Sequence, residues 1–352
     1  MVSGNPKVEI DAAGVAWVTF DDPEAKVNIF TEPVMRRLEE ILDALAARKP
    51  TGVIFIGGKP DVFIAGADIR EIAKVDSVER GVELSRFGQR VFGKIERLGV
   101  PTVAAIHGAC VGGGCEMVLA CRYRVATDDP KTQIGLPETQ LGILPGWGGT
   151  QRLPKRIGLN AALGIILLGK TVSAEKARRI GLVDEVVPPV ALREAAVAAI
   201  HSCHGRKGAP TRIMDPIIKW AARRKVARRT GGHYPAPLRA LDVIGRGYEA
   251  EARALGELVV TPVCRNLVRV FFLREKYAKL KLGEPWRAGK VGVVGAGVMG
   301  AGIAQWCAAR GLTVRLKDIQ PEFVAAGMKR IGDVFREGVA RRKLTPLEAE
   351  QG

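Results

Sequence analysis

His107-Gly-Ala-Cys-Val-Gly-Gly-Gly-Cys-Glu116 is the stretch that decides the fold. The β-branched run Thr102-Val-Ala-Ala-Ile106 precedes it, and the apolar Cys115-Glu-Met-Val-Leu-Ala120 follows it. A short strand, a glycine-rich turn and a helix in that order make one unit of a layered α/β domain. The same rhythm occurs upstream, where Val53-Ile-Phe-Ile56 leads through Gly57-Gly58 to Phe63-Ile-Ala-Gly-Ala-Asp68. It recurs downstream, where a strand over Tyr123 to Ala126 precedes Gln133-Ile-Gly-Leu-Pro-Glu138 and the turn Gly146-Trp-Gly-Gly149.

Outward from this core the pattern changes. From Pro188 the chain becomes helical, and 205–237 mixes Gly, Pro and Arg around a basic helix, as a linker does. Helical periodicity returns over 238–282, with Leu258, Val259, Leu267, Val270 and Phe271 among its apolar positions. A new strand opens at Lys290. With 352 residues and one domain per roughly 150 residues, we expect domains over 1–204 and 289–352, joined by a helical linker over 205–288.

The composition is that of a globular protein: 47% apolar and 26% charged. No apolar run reaches the roughly 18–20 residues that span a bilayer, and the N-terminal residues resemble no targeting segment, so the expectation is a cytoplasmic protein without an integral membrane segment. The six cysteines stand outside CxxC pairs and read as reduced packing residues. His201-Ser-Cys203-His204 lacks a second cluster to complete four ligands, so no metal is expected. A net charge of +17 favours anionic partners. It does not choose among nucleic acid, an acidic membrane and a phosphorylated small molecule.

Two glycine-rich turns, Ala65-Gly-Ala-Asp68 and Gly112-Gly-Gly114, let backbone N–H groups approach a ligand. Two such N–H groups can stabilise an oxyanion. Glu116, on an otherwise apolar helix start, is either a partner of the helix dipole or a functional acid. Glu138, after a proline, carries the same ambiguity.

Taken together, these segments resemble the enoyl-CoA hydratases of the crotonase superfamily. The resemblance rests on four blocks in order: Phe63 to Ile69, His107 to Glu116, Gly135 to Pro154, and Leu168 to Val183. It implies a crotonase (ClpP-like) spiral of ββα units. It also implies hydration of trans-2-enoyl-CoA, with Glu116 and Glu138 as the catalytic pair and the N–H groups of Ala67 and Gly113 as the oxyanion hole. Lys26, Val27, Asn28, Ala65, Gly66, Asp68, Ile69 and Arg70 fall where family members contact coenzyme A. Because both glutamates are present, hydration is favoured over decarboxylation or thioester hydrolysis. Double-bond isomerisation, which needs only the Glu138 position, remains as a side activity. Some relatives bind RNA, and Arg223-Arg-Lys225 with Arg228-Arg229 gives a basic helix. Its lack of interleaved aromatics argues against a nucleic-acid partner.

Gly231-Gly-His-Tyr-Pro-Ala-Pro-Leu238 and Arg265 to Phe272 resemble the connector of multifunctional fatty-acid oxidation proteins (alpha subunits). After it, Gly295-Ala-Gly297-Val298-Met299-Gly300 sits between a strand and a helix, and Asp318 lies 23 positions beyond the first glycine at the end of a second strand. That is the dinucleotide fingerprint of the first part of a Rossmann domain, its acid favouring NAD over NADP. The wording resembles 3-hydroxyacyl-CoA dehydrogenases. No histidine follows His233, and two strands with two helices fall short of a sheet of about six strands. An incomplete dehydrogenase region without oxidation activity is therefore expected. The resemblance further implies a thiolase beta subunit as partner and an oligomeric assembly.

Overall fold

A computed structural model describes residues 5–202, 215–278, 288–341 and 344–351. The chain divides into two compact units, Met1–Ala278 and Lys279–Gly352.

Ten strands build the first unit: β1 (Lys7–Ile10), β2 (Val15–Phe20), β3 (Gly52–Gly57), β4 (Val62–Ile64), β5 (Thr102–Ile106), β6 (Ala109–Val111), β7 (Tyr123–Thr127), β8 (Gln133–Gly135), β9 (Thr171–Ser173) and β10 (Glu185–Val187). They form a six-stranded sheet in the order β1-β2-β3-β5-β7-β10 and a four-stranded sheet in the order β4-β6-β8-β9. Pairing in the larger sheet is parallel except for β1 with β2, and in the smaller except for β8 with β9.

The uninterrupted apolar runs of β3 and β5 follow from burial on both faces, as central parallel strands require. Val53 and Phe55 of β3, with Ala104 and Ile106 of β5, face the main core between the sheets and helices. Their neighbours Ile54, Ile56, Val103 and Ala105 face a second core sealed by Leu192, Ala196, Ala199 and Ile200. Those four residues come from the helix Leu192–Ser202, whose spacing puts them on one stripe. The helix Glu32–Arg48 has the same logic. Val34, Leu38, Ile41, Leu42 and Leu45 are buried, Thr31 Oγ1 accepts from Val34 N–H at its start, and Lys49 closes it in the left-handed region.

Helices over 215–278 belong to this unit. Residues 205–288 were expected to form a linker, yet the helix Tyr248–Val259 packs along the helix Val78–Glu96. There a Cβ on Gly81 would meet Gly256 Cα at 2.7 Å and one on Gly256 would meet Val78 O at 2.5 Å. Glycine at both positions lets two helix backbones touch, so Leu258 and Val259, two of the apolar positions read in the sequence, lie in the core of the first unit.

The second unit holds two parallel strands, β11 (Lys290–Val294) and β12 (Thr313–Lys317), in register Lys290 to Thr313. The helices Val298–Ala308 and Pro321–Ala340 pack on one another, and a short helix Pro346–Gln351 follows. Among the described residues no helix is long and apolar enough to cross a membrane. Cys203 and His204 lie outside the described residues. Within the described residues no cluster of metal-ligating side chains occurs, and the five described cysteines are free and buried.

Candidate active site

Glu116 and Glu138 meet at one cavity of about 410 Å³ in the first unit. Glu116 arrives there from a glycine turn and Glu138 from a proline turn. Gly112 adopts φ 56°, ψ −130°, which only glycine takes readily, and this turn reverses the chain from β6 into the helix Gly113–Ala120. All eight residues of that helix are buried. Its first-turn acid is therefore held in the interior and not at a solvated helix end. Glu138 opens the short 3-10 helix Glu138–Leu141 directly after β8 and Pro137.

The two carboxyls have different surroundings. Glu116 Oε1 accepts hydrogen bonds from Trp147 N–H and Gly149 N–H, both at 2.7 Å. Both oxygens of Glu138 are buried without a hydrogen-bond partner. Its own backbone N–H faces the carboxyl without reaching hydrogen-bond geometry. An unsatisfied buried group of this kind costs on the order of 1–3 kcal/mol, a cost the fold bears at a cavity wall. Burial, and then the nearby Glu251 charge, push the Glu138 carboxyl up to about 8. Burial, repulsion from Glu138 and repulsion from Glu251 also raise Glu116 well above the usual carboxylate range, against the two N–H donors that favour its anion. Two N–H donors favour the anion of Glu116, and no such donors reach the Glu138 carboxyl.

The two glycine loops expected to form an oxyanion hole lie side by side. A Cβ at Gly66 would stand 3.7 Å from Gly113 N, and one at Gly112 would stand 3.5 Å from Gly66 Cα and 3.4 Å from Glu138 Oε1. Phe30 N–H donates to Gly66 O and Asp68 N–H donates to Phe30 O, so the bridge fixing this loop leaves the Ala67 N–H outside its pairing. Gly113 begins its helix, where N–H groups have no intrahelical acceptor. Ala65, Gly66, Ala67, Ile69 and Gly113 all line the cavity.

The other expected coenzyme A contacts lie elsewhere. Asn28 is a brace. Its Nδ2 donates to Phe20 O (2.8 Å) and Phe63 O (3.0 Å), and its backbone carbonyl accepts from Ala65 N–H. The Asp68 side chain caps the helix Ile69–Ala73 through Arg70 N–H and pairs with the Arg70 guanidinium. Both side chains are thus committed within the protein, for a reason the sequence did not show: each holds the loop that carries Ala67. Lys26, Val27 and Arg70 are exposed and outside the cavity wall.

Two features escaped the sequence reading. The far side of the cavity is walled by Leu255, Val259, Leu267, Val270 and Phe271, from the supposed linker. Glu251, from the same region, is fully buried behind the site. Its local sequence, Glu249-Ala-Glu251-Ala, does not set it apart from its surface neighbour Glu249.

In the second unit the glycine loop has the geometry a pyrophosphate needs. Gly295 takes φ 97°, and a Cβ on Gly300 would stand 1.7 Å from Gly295 O. At Gly297, the N-cap of the helix Val298–Ala308, a Cβ would meet nothing within 4 Å. That leaves open space at a helix N-terminus, where anions are favoured. Asp318 Oδ2 accepts from Ala296 N–H and Oδ1 from Ile319 N–H, which keeps the carboxylate ionised beside the loop. Val298 and Met299 are exposed on that helix.

The enoyl-CoA hydratase/isomerase family model matches residues 11–226. The chain belongs to that family. Residues 290–352 match the NAD binding domain of 3-hydroxyacyl-CoA dehydrogenase, so a member of the hydratase/isomerase family is fused here to a partial dehydrogenase region. Solved structures agree with this placement. An enoyl-CoA hydratase from Bacillus anthracis is 28% identical with a TM-score of 0.53, over 77% of this chain and 96% of that one. Pseudomonas aeruginosa DspI is 31% identical with a TM-score of 0.52, over 66% and 88%. Human mitochondrial delta3-delta2-enoyl-CoA isomerase is 26% identical with a TM-score of 0.58, over 78% and 99%. The α/β fold with a crotonase-type first unit and a Rossmann-like second sheet is thereby established.

Proposed function

We propose that the chain adds water to trans-2-enoyl-CoA thioesters, giving 3-hydroxyacyl-CoA in fatty-acid beta-oxidation. The observation that carries this reading is the convergence of Glu116, held by two N–H donors, and Glu138, held by none, on one cavity beside two glycine loops.

In the proposed reaction Glu116 accepts a proton from water as the water oxygen bonds to C3. The π electrons move onto the thioester oxygen, where the Ala67 and Gly113 N–H groups receive the charge. Glu138 gives its proton to C2. A carboxyl raised to about 8 still holds that proton at neutral pH. The proton left on Glu116 and the charge left on Glu138 re-equilibrate through solvent before the next turnover. Isomerisation would use Glu138 alone to move a proton between carbons, and its open carboxyl permits that as a side reaction.

Coenzyme A enters this scheme only as the substrate's carrier, with Ala65, Gly66 and Ile69 as the expected contacts lining the cavity. For the second unit we propose NAD binding across Gly295, Gly297 and Gly300, with Asp318 on the ribose. When bound, NAD would supply a hydride acceptor, and the proposal for this unit is confined to binding. A thiolase partner and an oligomer rest on family resemblance alone.

The test is hydration of a short and a long trans-2-enoyl-CoA by the purified chain, followed by loss of the conjugated enoyl absorbance. Turnover that depends on both Glu116 and Glu138 is expected. The reading fails if the chain turns over neither substrate.

A further inference from the structure

Behind the catalytic pair, four consecutive N–H groups at the start of the helix Gly149–Ile157 are shared between two buried carboxylates. Trp147 and Gly149 donate to Glu116 Oε1, both at 2.7 Å. Gly148 donates to Glu251 Oε1 at 2.7 Å, and Thr150 donates to Glu251 Oε2 at 3.0 Å. The Thr150 hydroxyl also bonds Glu251 Oε2. Gln151 Nε2 donates to that same hydroxyl, so its own proton points at Glu251. Gln89 Nε2 completes the set on Oε1 at 3.0 Å. Glu251 thus receives only donors, from two different segments, and does not line the cavity that Glu116 and Glu138 share.

We infer that Glu251 is a positioning residue for the reaction, holding residues 147–150 in the one arrangement that aims two N–H groups at Glu116. The inference rests on the hydratase reading above. Its physical basis is alternation. Successive N–H groups along this turn point to opposite sides, and a carboxylate on each side pins the turn from both. Removing one carboxylate releases the turn towards the other. A displacement of about 1 Å in such a donor can cost on the order of a hundredfold in rate.

Glu251 also acts on Glu116 through space. The charged and titratable groups facing it are Glu116, Glu138, Arg152 and Tyr248. The Glu251 charge raises Glu116, so neutralising it should move the Glu116 titration to lower pH. A residue that merely fills the core would not do this.

The experiment compares Glu251→Gln with the parental chain by three readouts: kcat and KM for enoyl-CoA hydration, thermal unfolding, and carbon-13 titration of the Glu116 carboxyl, assigned with Glu116→Gln. We expect kcat to fall about ten- to a hundredfold with KM within about twofold, and the Glu116 midpoint to move down. Thr150→Ala should shift both in the same direction, and Thr150→Ser should restore them. A folded Glu251→Gln variant with parental kcat and midpoint overturns the inference. So does a loss of kcat with an unmoved midpoint and no rescue by serine. If Glu251→Gln does not fold, the Thr150 pair decides alone, and a parental midpoint in Thr150→Ala overturns it. A parental chain that hydrates nothing sinks the hydratase reading, while the titration still decides the role of Glu251.

Discussion

Gly112 lies directly against Glu138: a Cβ on it would stand 3.4 Å from Oε1, and its φ of 56° is one that side chains rarely adopt. Gly112→Ala should therefore cost about 1–3 kcal/mol of stability through backbone strain and displace the acid as well. Urea unfolding and hydration kinetics check this. Parental values in both would show that the turn is not strained.

Glu116→Gln and Glu138→Gln should each lower kcat by about 10²–10⁴-fold, the usual worth of a positioned acid or base, with little change in KM. Steady-state kinetics would show it. Because Glu138 has no partner to lose, its glutamine variant should unfold no more easily than the parent.

The pH dependence of stability follows from the sign of the Glu138 shift. Its folded value of about 8 lies above the ordinary 4.5, so between those values the folded state holds a proton that the unfolded state has lost. Stability from this group is full below the unfolded value and declines as pH rises through about 8. Glu138→Gln should therefore gain on the parent from pH 5 to about 8 in paired chemical melts. A constant gap across that window would contradict the assignment.

Arg124 and Asp184, both nearly inaccessible, tie the end of the Glu116 helix to the turn before β10. Arg124 Nη2 bonds Asp184 Oδ2 at 2.8 Å, Arg124 Nη1 donates to Cys121 O and Val118 O, and Arg156 joins from the other side. Asp184→Ala leaves two buried guanidinium groups short of their carboxylate and should cost about 3–5 kcal/mol. Denaturant midpoints of parent and variant measure it.

Gly300→Ala should weaken NADH binding by the full chain at least about tenfold, since the added carbon meets Gly295 O and spoils the turn that admits a pyrophosphate. Fluorescence titration with NADH reads this out. If the parent and the variant bind alike, the loop is not the site.

Much of the architecture was legible from the chain because its signals are local. Strand–glycine–helix units need only short windows to be seen, and the 112 and 295 turns announce themselves because no other residue tolerates their backbone. Glu116 stands just beyond such a turn, whereas Glu138 follows a proline and was named through the family resemblance. Glu251 was not, and its neighbour shows why. Glu249 and Glu251 stand two positions apart on the helix Tyr248–Val259, about 200° round its axis. One pairs with Arg86 and Arg253 at the surface, while the other is wholly buried. Nothing in Tyr248-Glu-Ala-Glu-Ala-Arg-Ala tells the two acids apart until Gly81 and Gly256 bring that helix against its partner.

What the sequence determined by itself is the kind of unit, since turn conformation and helix period are properties of neighbouring residues, while the choice of Glu116 and Glu138 as a candidate pair came from the family resemblance. Tertiary structure alone decided how that pair is held. The alternate hydrogen bonding of residues 147–150 to Glu116 and Glu251, the bracing by Asn28 and the closing of the cavity by Leu255 and Phe271 each join segments tens of residues apart. Burial and packing choose such partners, and no periodicity along the chain encodes them.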